Sequence, residues 1–110
     1  MKEIKAFIRP NMLEAVLRAL REHPGLPGVT VSEVRGFGRV AGRQSSEGPG
    51  HATVEMAKLE CIVDDAQAAE MVEVIQRHAT TSRPGDGKIA VYAVESLTRI
   101  RTGEPAASAP

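Results

Sequence analysis

The chain of 110 residues is 42% hydrophobic and 25% charged, which fits one globular domain with a single core. Its 14 Lys and Arg residues balance 14 Asp and Glu residues, so neither a nucleic-acid partner nor a general attraction to anionic membranes is expected. No apolar run reaches the roughly 18 residues of a membrane helix and residues 1–10 lack the apolar core of a signal peptide, so we expect a cytoplasmic protein without direct membrane insertion.

The first third of the chain predicts a strand, a helix and a second strand. Apolar and charged side chains alternate over residues 2–9, which predicts a strand. Asn11 is a favourable N-cap residue, and Glu14 three positions later completes a variant of the capping box for an amphipathic helix that ends near residue 22. Residues 29–34 predict the next strand.

Residues 36–52 break this pattern, because they combine glycine, proline and serine with few apolar side chains. A loop of this length inside a compact domain is usually functional or disordered. We expect Phe37, which lies between two glycines, to hold the base of the loop. The alternative is a flexible hairpin tip. Ser45 and Ser46 are candidate modification sites, although exposed serines are common in glycine-rich loops.

The second half of the chain repeats the order of the first half. Residues 53–63 predict a third strand whose odd-numbered apolar positions share one face. Asp64 and Asp65 are candidate N-caps of a second amphipathic helix that ends near residue 79. Residues 89–94 are apolar on both faces, which is typical of a central strand. Residues 105–110 are small residues and prolines, which predict a disordered tail.

This order, β-α-β, long loop, β-α-β, predicts an α+β fold, the ferredoxin-like βαββαβ sandwich. Its helices cover one face of the sheet. The other face carries apolar residues, among them Phe7, Val54, Ala90 and Tyr92, and a small domain normally buries such a face against a partner. We therefore expect a homo-oligomer.

The cysteine and histidine residues predict neither a disulfide nor a metal site. Cys61 is the single cysteine and lies in an apolar run, as a small buried hydrophobic residue would. His23, His51 and His78 show no ligand spacing with one another or with Cys61.

Residues 81–88, Thr-Ser-Arg-Pro-Gly-Asp-Gly-Lys, are the clearest candidate for ligand binding. Their glycines allow backbone N–H groups to approach an anion, and Lys88 closes the turn with an ammonium group. Arg99 and Arg101 follow at alternate positions, so an extended chain would direct both guanidinium groups the same way, as a phosphate site requires. The alternative is an ordinary turn before a strand and a solvated strand face.

Four motifs in this order resemble the PII family of signal-transduction proteins, and the resemblance covers roughly residues 1–104. Each motif is weak alone, but together on this predicted fold they are specific. The motifs are Met1-Lys-Glu-Ile-Lys5, Thr30-Val-Ser-Glu-Val-Arg-Gly-Phe-Gly-Arg39, Pro84-Gly-Asp-Gly-Lys-Ile89 and Arg99-Ile-Arg-Thr-Gly-Glu104. The PII-like domain would span residues 1–104, with a T-loop at about 37–53 and a tail at 105–110.

The resemblance implies a homotrimer that binds ATP, ADP or AMP in the clefts between neighbouring subunits. Thr30 would lie near the adenine, and Arg99 and Arg101 would reach the phosphates in the cleft of the neighbouring subunit. The other implied nucleotide-binding residues are Gly36, Phe37, Gly38 and Arg39 at the base of the T-loop, and Thr81, Gly85, Asp86, Gly87 and Lys88 in and beside the phosphate-binding loop. No catalytic residue or protein metal ligand is expected, and a role for magnesium is left open.

Two positions depart from the family pattern. Val40 stands where typical members have a Gln that helps hold magnesium and 2-oxoglutarate, and valine has no oxygen with which to ligate a hard cation. Met56 stands where they have a Lys that pairs with a carboxylate of 2-oxoglutarate. We therefore expect 2-oxoglutarate sensing to be lost. The T-loop is also shorter than usual and has no Tyr, which excludes uridylylation at a T-loop tyrosine.

The sequence thus predicts a non-catalytic regulator that controls a target protein through its T-loop, either a membrane transporter or a metabolic enzyme. Two alternatives stay open. One is a slow nucleotide hydrolase with Asp86 as the base, and the other is a structural trimer with a vestigial nucleotide site.

Overall fold

The computed structural model describes residues 1–26, 28–38 and 53–109. Within these ranges the chain forms a four-stranded antiparallel sheet in the order β2-β3-β1-β4, with two α-helices. No helix in the described ranges is long and apolar enough to span a bilayer. The elements are β1 (Lys2–Ile8), α1 (Leu13–Arg21), β2 (Thr30–Gly36), β3 (Val54–Val63), α2 (Asp65–Ala79) and β4 (Gly87–Ala93). This arrangement confirms the predicted ferredoxin-like α+β fold.

The core lies between the sheet and the helices, on the strand faces that the alternation predicted. The inward side chains of β1 are each no more than 1% exposed, and each fully buried aliphatic side chain contributes roughly 1.5–3 kcal/mol relative to exposure. The β1–β3 register pairs Ile4 with Cys61, Ala6 with Leu59 and Ile8 with Ala57. The helices close this layer with Val16 and Leu20 from α1 and Met71 and Ile75 from α2.

Helix α1 begins differently from the prediction. A 3-10 turn at Pro10–Met12 precedes it, the N-cap position falls on Met12, and no side chain caps the helix. Asn11 lies inside this turn, so the N-cap predicted at Asn11 is wrong. Proline has a backbone angle suited to the first residue of a helical turn, and Pro10 therefore starts the turn one residue before Asn11.

Helix α2 has its N-cap at Asp64, one of the two predicted candidates, but the Asp64 carboxylate does not cap the helix. Instead, Asp64 Oδ1 accepts a hydrogen bond from the Ala109 N–H at 2.8 Å. The Ala106 N–H also donates to the Leu97 carbonyl oxygen at 2.8 Å. The end of the chain thus makes backbone hydrogen bonds to the domain, while the predicted domain limit and tail disorder stay predictions.

Strand β4 is an edge strand, so the prediction of a central strand covered on both faces is wrong for the single chain. Within the described residues it pairs with β1 alone, and Val91 and Tyr92 are 46% and 49% exposed. The reason is topological, because β1 takes the position between β3 and β4. A local pattern of apolar residues does not encode the order of strands in a sheet.

The sheet face opposite the helices, called here the open face, carries a network of charges among its apolar residues. Lys58 Nζ lies 3.5 Å from Glu60, and Lys5 Nζ lies 3.9 Å from Glu3 and 5.1 Å from the centre of the Tyr92 ring. The four charged side chains are only 27–30% exposed. The apolar surface predicted for this face is therefore interrupted by partly buried ion pairs.

Candidate functional site

The connection between α2 and β4 is folded around the carboxylate of Asp86. Together with the first two residues of β4 it spans residues 80–88, and we call this segment the Asp86 loop. The Asp86 Oδ2 atom accepts hydrogen bonds from the Thr81 N–H at 2.7 Å, the Thr80 hydroxyl at 3.3 Å and the Arg83 N–H at 3.4 Å. The Oδ1 atom accepts one from the Thr81 hydroxyl and one from Arg9 Nε, the latter at 2.8 Å. One side chain thus holds together residues from both ends of the loop.

The two glycines of the Asp86 loop are required by its backbone geometry. Gly85 and Gly87 have φ angles of 91° and 113°, which L side chains rarely adopt. Gly87 also has no space for a side chain, because a Cβ atom there would lie 1.7 Å from the Phe7 carbonyl oxygen. Lys88 follows as an exposed residue of β4, so its ammonium group is accessible at the end of the loop.

Arg9 is a residue of this loop that the sequence did not reveal. Its Nε–H donates to Asp86 Oδ1 and its Nη2–H donates to the Pro84 carbonyl oxygen, both at 2.8 Å. Arg9 follows the last residue of β1, and the β1–β4 register pairs Ile8 with Gly87, which brings Arg9 beside Asp86. The signal was an arginine at a strand end, but only the strand pairing shows which loop it meets.

The same hydrogen bonds make Asp86 a poor candidate for a catalytic base. Donation by Thr81 and by Arg9 holds the pKa of the Asp86 carboxyl well below its usual range, so the carboxylate has little tendency to accept a proton. Within the described ranges, no three His, Cys, Asp or Glu side chains lie close enough together to hold a metal ion. The contacts of Asp86 fit a role in shaping the loop.

The Asp86 loop borders a cleft of about 380 Å³, called here the lysine cleft. Gly87 and Lys88 line it from β4, and Val72 and Gln76 line it from α2. Among the described Lys and Arg residues predicted to bind phosphate, Lys88 is the one that lines the lysine cleft.

A larger cleft of about 800 Å³, called here the arginine cleft, is lined by the residue predicted to lie near the adenine and by the two arginines predicted to bind phosphate. Thr30 of β2 and Glu60 of β3 line it, together with Arg99 and Arg101 from the segment after β4. Among the described residues, none lines both clefts. A single chain therefore carries Thr30, Arg99 and Arg101 in one cleft and Asp86, Gly87 and Lys88 in another.

The arginine pair is presented by a turn and not by an extended chain. The Arg99 N–H donates to the Glu104 carbonyl oxygen at 2.9 Å, and the Gly103 N–H donates to the Arg99 carbonyl oxygen at 2.8 Å. Residues 100–102 form the turn, so the prediction that alternation in an extended chain directs both arginines the same way is wrong. Both arginines still line one cleft.

The start of the long loop is described only in part. Gly36 is the last residue of β2, Gly38 is exposed and Phe37 is 74% exposed, and the role predicted for Phe37 at the base of the loop stays a prediction. Arg39 and the segment 40–52, with Val40, Ser45 and Ser46, lie outside the described residues. The roles predicted for them stay predictions.

Comparison with known proteins decides the family. Residues 1–104 match the family model described as nitrogen regulatory protein P-II. The chain belongs to the PII family. It is 45% identical to the nitrogen regulatory protein P-II of Rhodospirillum rubrum and 46% identical to that of Nostoc punctiforme, in each case over 94% of this chain and 95% of the relative. The protein of the same name from Synechocystis is 44% identical over the same shares.

In this PII protein the side chain of Met56 reaches the Asp86 loop. The Met56 methyl carbon lies 3.3 Å from the position that a Cβ atom would take on Gly87. Met56 is in β3, opposite Val34 of β2, whereas Gly87 begins β4. The side chain at position 56 thus borders the loop that carries Lys88.

Proposed function

We propose that this PII protein is a non-catalytic cytoplasmic regulator that binds ATP, ADP or AMP between the subunits of a homotrimer and controls a target protein through its T-loop. The observation that carries the proposal is the separation of the arginine cleft from the lysine cleft within one chain. Nucleotide phosphates carry several negative charges, and Arg and Lys side chains bind them by charge-assisted hydrogen bonds. A site assembled from the lysine cleft of one chain and the arginine cleft of its neighbour would supply both kinds of cation.

The free edges and the open face of the sheet support an oligomer. Strands β2 and β4 are both edge strands within the described sheet. Phe7 and Val54 are only half-buried on the open face, and Tyr92 is 49% exposed beside them. A homotrimer would cover these residues. The partly buried ion pairs on the open face of each chain would favour one arrangement of the subunits over others.

The proposal includes a change of effector. Met56 borders the Asp86 loop with a thioether, at the position where typical family members have a lysine. This position therefore offers no positive charge to a dicarboxylate. Val40 removes an oxygen ligand for magnesium in the same proposed site. We therefore propose that the protein responds to nucleotide without 2-oxoglutarate.

Control of the target would be a population shift. A nucleotide that contacts Arg39 at the base of the T-loop stabilises one loop conformation by its differential affinity, and a coupling of about 1–3 kcal/mol is enough for a switch. The target that a short loop without tyrosine recognises would be a membrane transporter or a metabolic enzyme.

Subunit mixing tests whether the two clefts belong to one site. Lys88→Ala and Arg101→Ala each remove one half of the proposed site, and neither variant alone should bind ATP with normal affinity. The variants are then mixed in equal amounts, unfolded and refolded together. Random assembly should restore about a quarter of the sites, because one of the four possible ordered pairs of neighbours joins an intact lysine cleft to an intact arginine cleft. ATP stoichiometry is measured by calorimetry, and exchange of subunits is verified with two affinity tags.

A site within one chain gives a different result. Every chain of the mixture carries one substitution, so mixing would restore no high-affinity site at all. The double variant, refolded in the same way, provides the baseline for this comparison.

A further inference from the structure

The side-chain contacts of the Asp86 loop include one from a distant part of the chain. Thr80, Thr81 and Arg83 donate to Asp86 from within the loop, at most six residues away. Arg9 donates to Asp86 from 77 residues earlier in the chain. The Arg9 contact therefore ties the loop to the end of β1, whereas the other three only shape the loop itself.

The geometry of this contact is specific for arginine. Nε and Nη2 of Arg9 bond to Asp86 and to the Pro84 carbonyl oxygen at 2.8 Å each, so the guanidinium spans Gly85 between them. The Arg9 and Asp86 side chains are only 24% and 20% exposed. A lysine ammonium is a point charge without the planar fork of arginine, and would not reproduce both bonds in this geometry.

The loop that Arg9 holds contains three unusual backbone angles. Ser82 has a φ angle of 60°, which is uncommon for a residue with a side chain, and Gly85 and Gly87 also have positive φ angles. Glycine-containing turns of this kind have many alternative conformations, and binding requires the fraction that is already in the competent one. Lys88 lies two residues beyond Asp86 and is paired with Phe7 at the start of β4, so the loop and the β1–β4 pairing together position its ammonium group.

We infer that Arg9 is a positioning residue for nucleotide binding, which acts through Asp86 and Pro84 to hold the loop that carries Lys88. This inference rests on the proposed nucleotide-binding function. Removal of the Arg9 side chain removes its contacts with Asp86 and with the Pro84 carbonyl oxygen, and so lowers the fraction of loops in the competent conformation. The apparent dissociation constant rises by the inverse of that fraction.

The test is a double-mutant cycle on the affinity for ATP, measured by calorimetry with the wild-type protein, Arg9→Ala, Asp86→Ala and the double variant. We expect Arg9→Ala to weaken ATP binding by about tenfold, the size typical of one charge-assisted hydrogen bond. Since Asp86→Ala already removes the Arg9–Asp86 contact and leaves only the Pro84 contact, the loss in the double variant should be clearly smaller than the two single losses combined. Arg9→Lys should recover part of the lost affinity, because it keeps the charge beside Asp86 but lacks the fork.

Arg77→Ala is the matched control, since Arg77 pairs with Glu73 at 3.7 Å on the exposed surface of α2, on the side next to Ala15 and Arg18 of α1. It should leave the affinity unchanged. Wild-type affinity in Arg9→Ala overturns the inference, as do additive losses in the double variant, which would mean that Arg9 acts independently of Asp86. If the wild-type protein itself binds no ATP, the proposed function fails and the inference fails with it.

Discussion

Gly87 and Phe7 approach each other so closely that a Cβ atom on Gly87 would lie 1.7 Å from the Phe7 carbonyl oxygen. The contact lies where β4 begins beside the end of β1, since Phe7 is paired with Lys88 in the register. Any side chain at position 87 must therefore move the strand end, and with it the Asp86 loop.

Gly87→Ala should lower the free energy of unfolding by about 2 kcal/mol or more, because the new methyl group meets backbone and the φ angle is unfavourable for alanine. Urea unfolding followed by circular dichroism measures the change. Gly36→Ala is the control, since no described atom lies within 4 Å of a Cβ atom at Gly36. Equal stability of the two variants would contradict the close contact.

Asp86 should make stability depend on pH in the acid range. Its pKa is lowered in the folded protein, first by the Thr81 hydroxyl and then by Arg9, so the unfolded chain binds the proton more tightly than the folded one. The stabilisation is present above the unfolded pKa of about 3.9 and is lost as the pH falls through the lower folded value.

The measurement compares the wild-type protein with Asp86→Asn by urea unfolding at a series of pH values. The wild-type protein should be the more stable at neutral pH, and the difference should shrink as the pH falls below about 4. A difference that stays constant through this range would show that the Asp86 carboxylate is not ionised in the loop.

The open face and the sheet edges predict a trimer in solution. Light scattering at micromolar concentration should give three times the chain mass of 11.7 kDa. Substitution of Phe7 by Glu should weaken the assembly, because it replaces a half-buried apolar side chain of the open face with a carboxylate that the subunit interface would have to desolvate. A monomeric wild-type protein would remove the basis for a site between subunits.

Lys88 and Arg101 should each contribute strongly to the affinity for ATP or ADP. Charge-assisted hydrogen bonds are typically worth roughly 1.5–3 kcal/mol, so Lys88→Ala and Arg101→Ala should each weaken binding by about tenfold to a hundredfold. Calorimetry measures the dissociation constants, and Arg35→Ala, whose partner is the exposed Glu55, serves as the control. Unchanged affinity in both test variants would refute the proposed phosphate site.

The protein should not bind 2-oxoglutarate, with or without magnesium and ATP. Position 56 presents a methyl group to the Asp86 loop, and an unpaired carboxylate in a partly buried site is costly. Calorimetry with protein already saturated with magnesium and ATP should give no heat of binding. The double variant Val40→Gln, Met56→Lys should regain binding if these two residues caused its loss, whereas tight binding by the wild-type protein would contradict the prediction.

The sequence by itself determined which residues form the core. Alternation in β1 and β3 predicted that Ile4, Leu59 and Val63 face inward, and each is at most 2% exposed. This follows because a strand has a period of two, so a run of seven or more residues specifies one buried face without knowledge of its partners. The glycines of residues 81–88 were also sufficient to indicate the Asp86 loop. Gly85 and Gly87 have positive φ angles, which glycine adopts more readily than residues with a side chain.

Only the tertiary structure decided how these parts meet. The place of β4 at the edge of the sheet and the contact between Arg9 and Asp86 across 77 residues both depend on the pairing of β1 with β4. Strand pairing is a contact between segments distant in the chain, and its register arises from the packing of the whole sheet against the helices. No pattern within either segment carries that information, which is why the sequence indicated a phosphate loop but not the arginine that holds it.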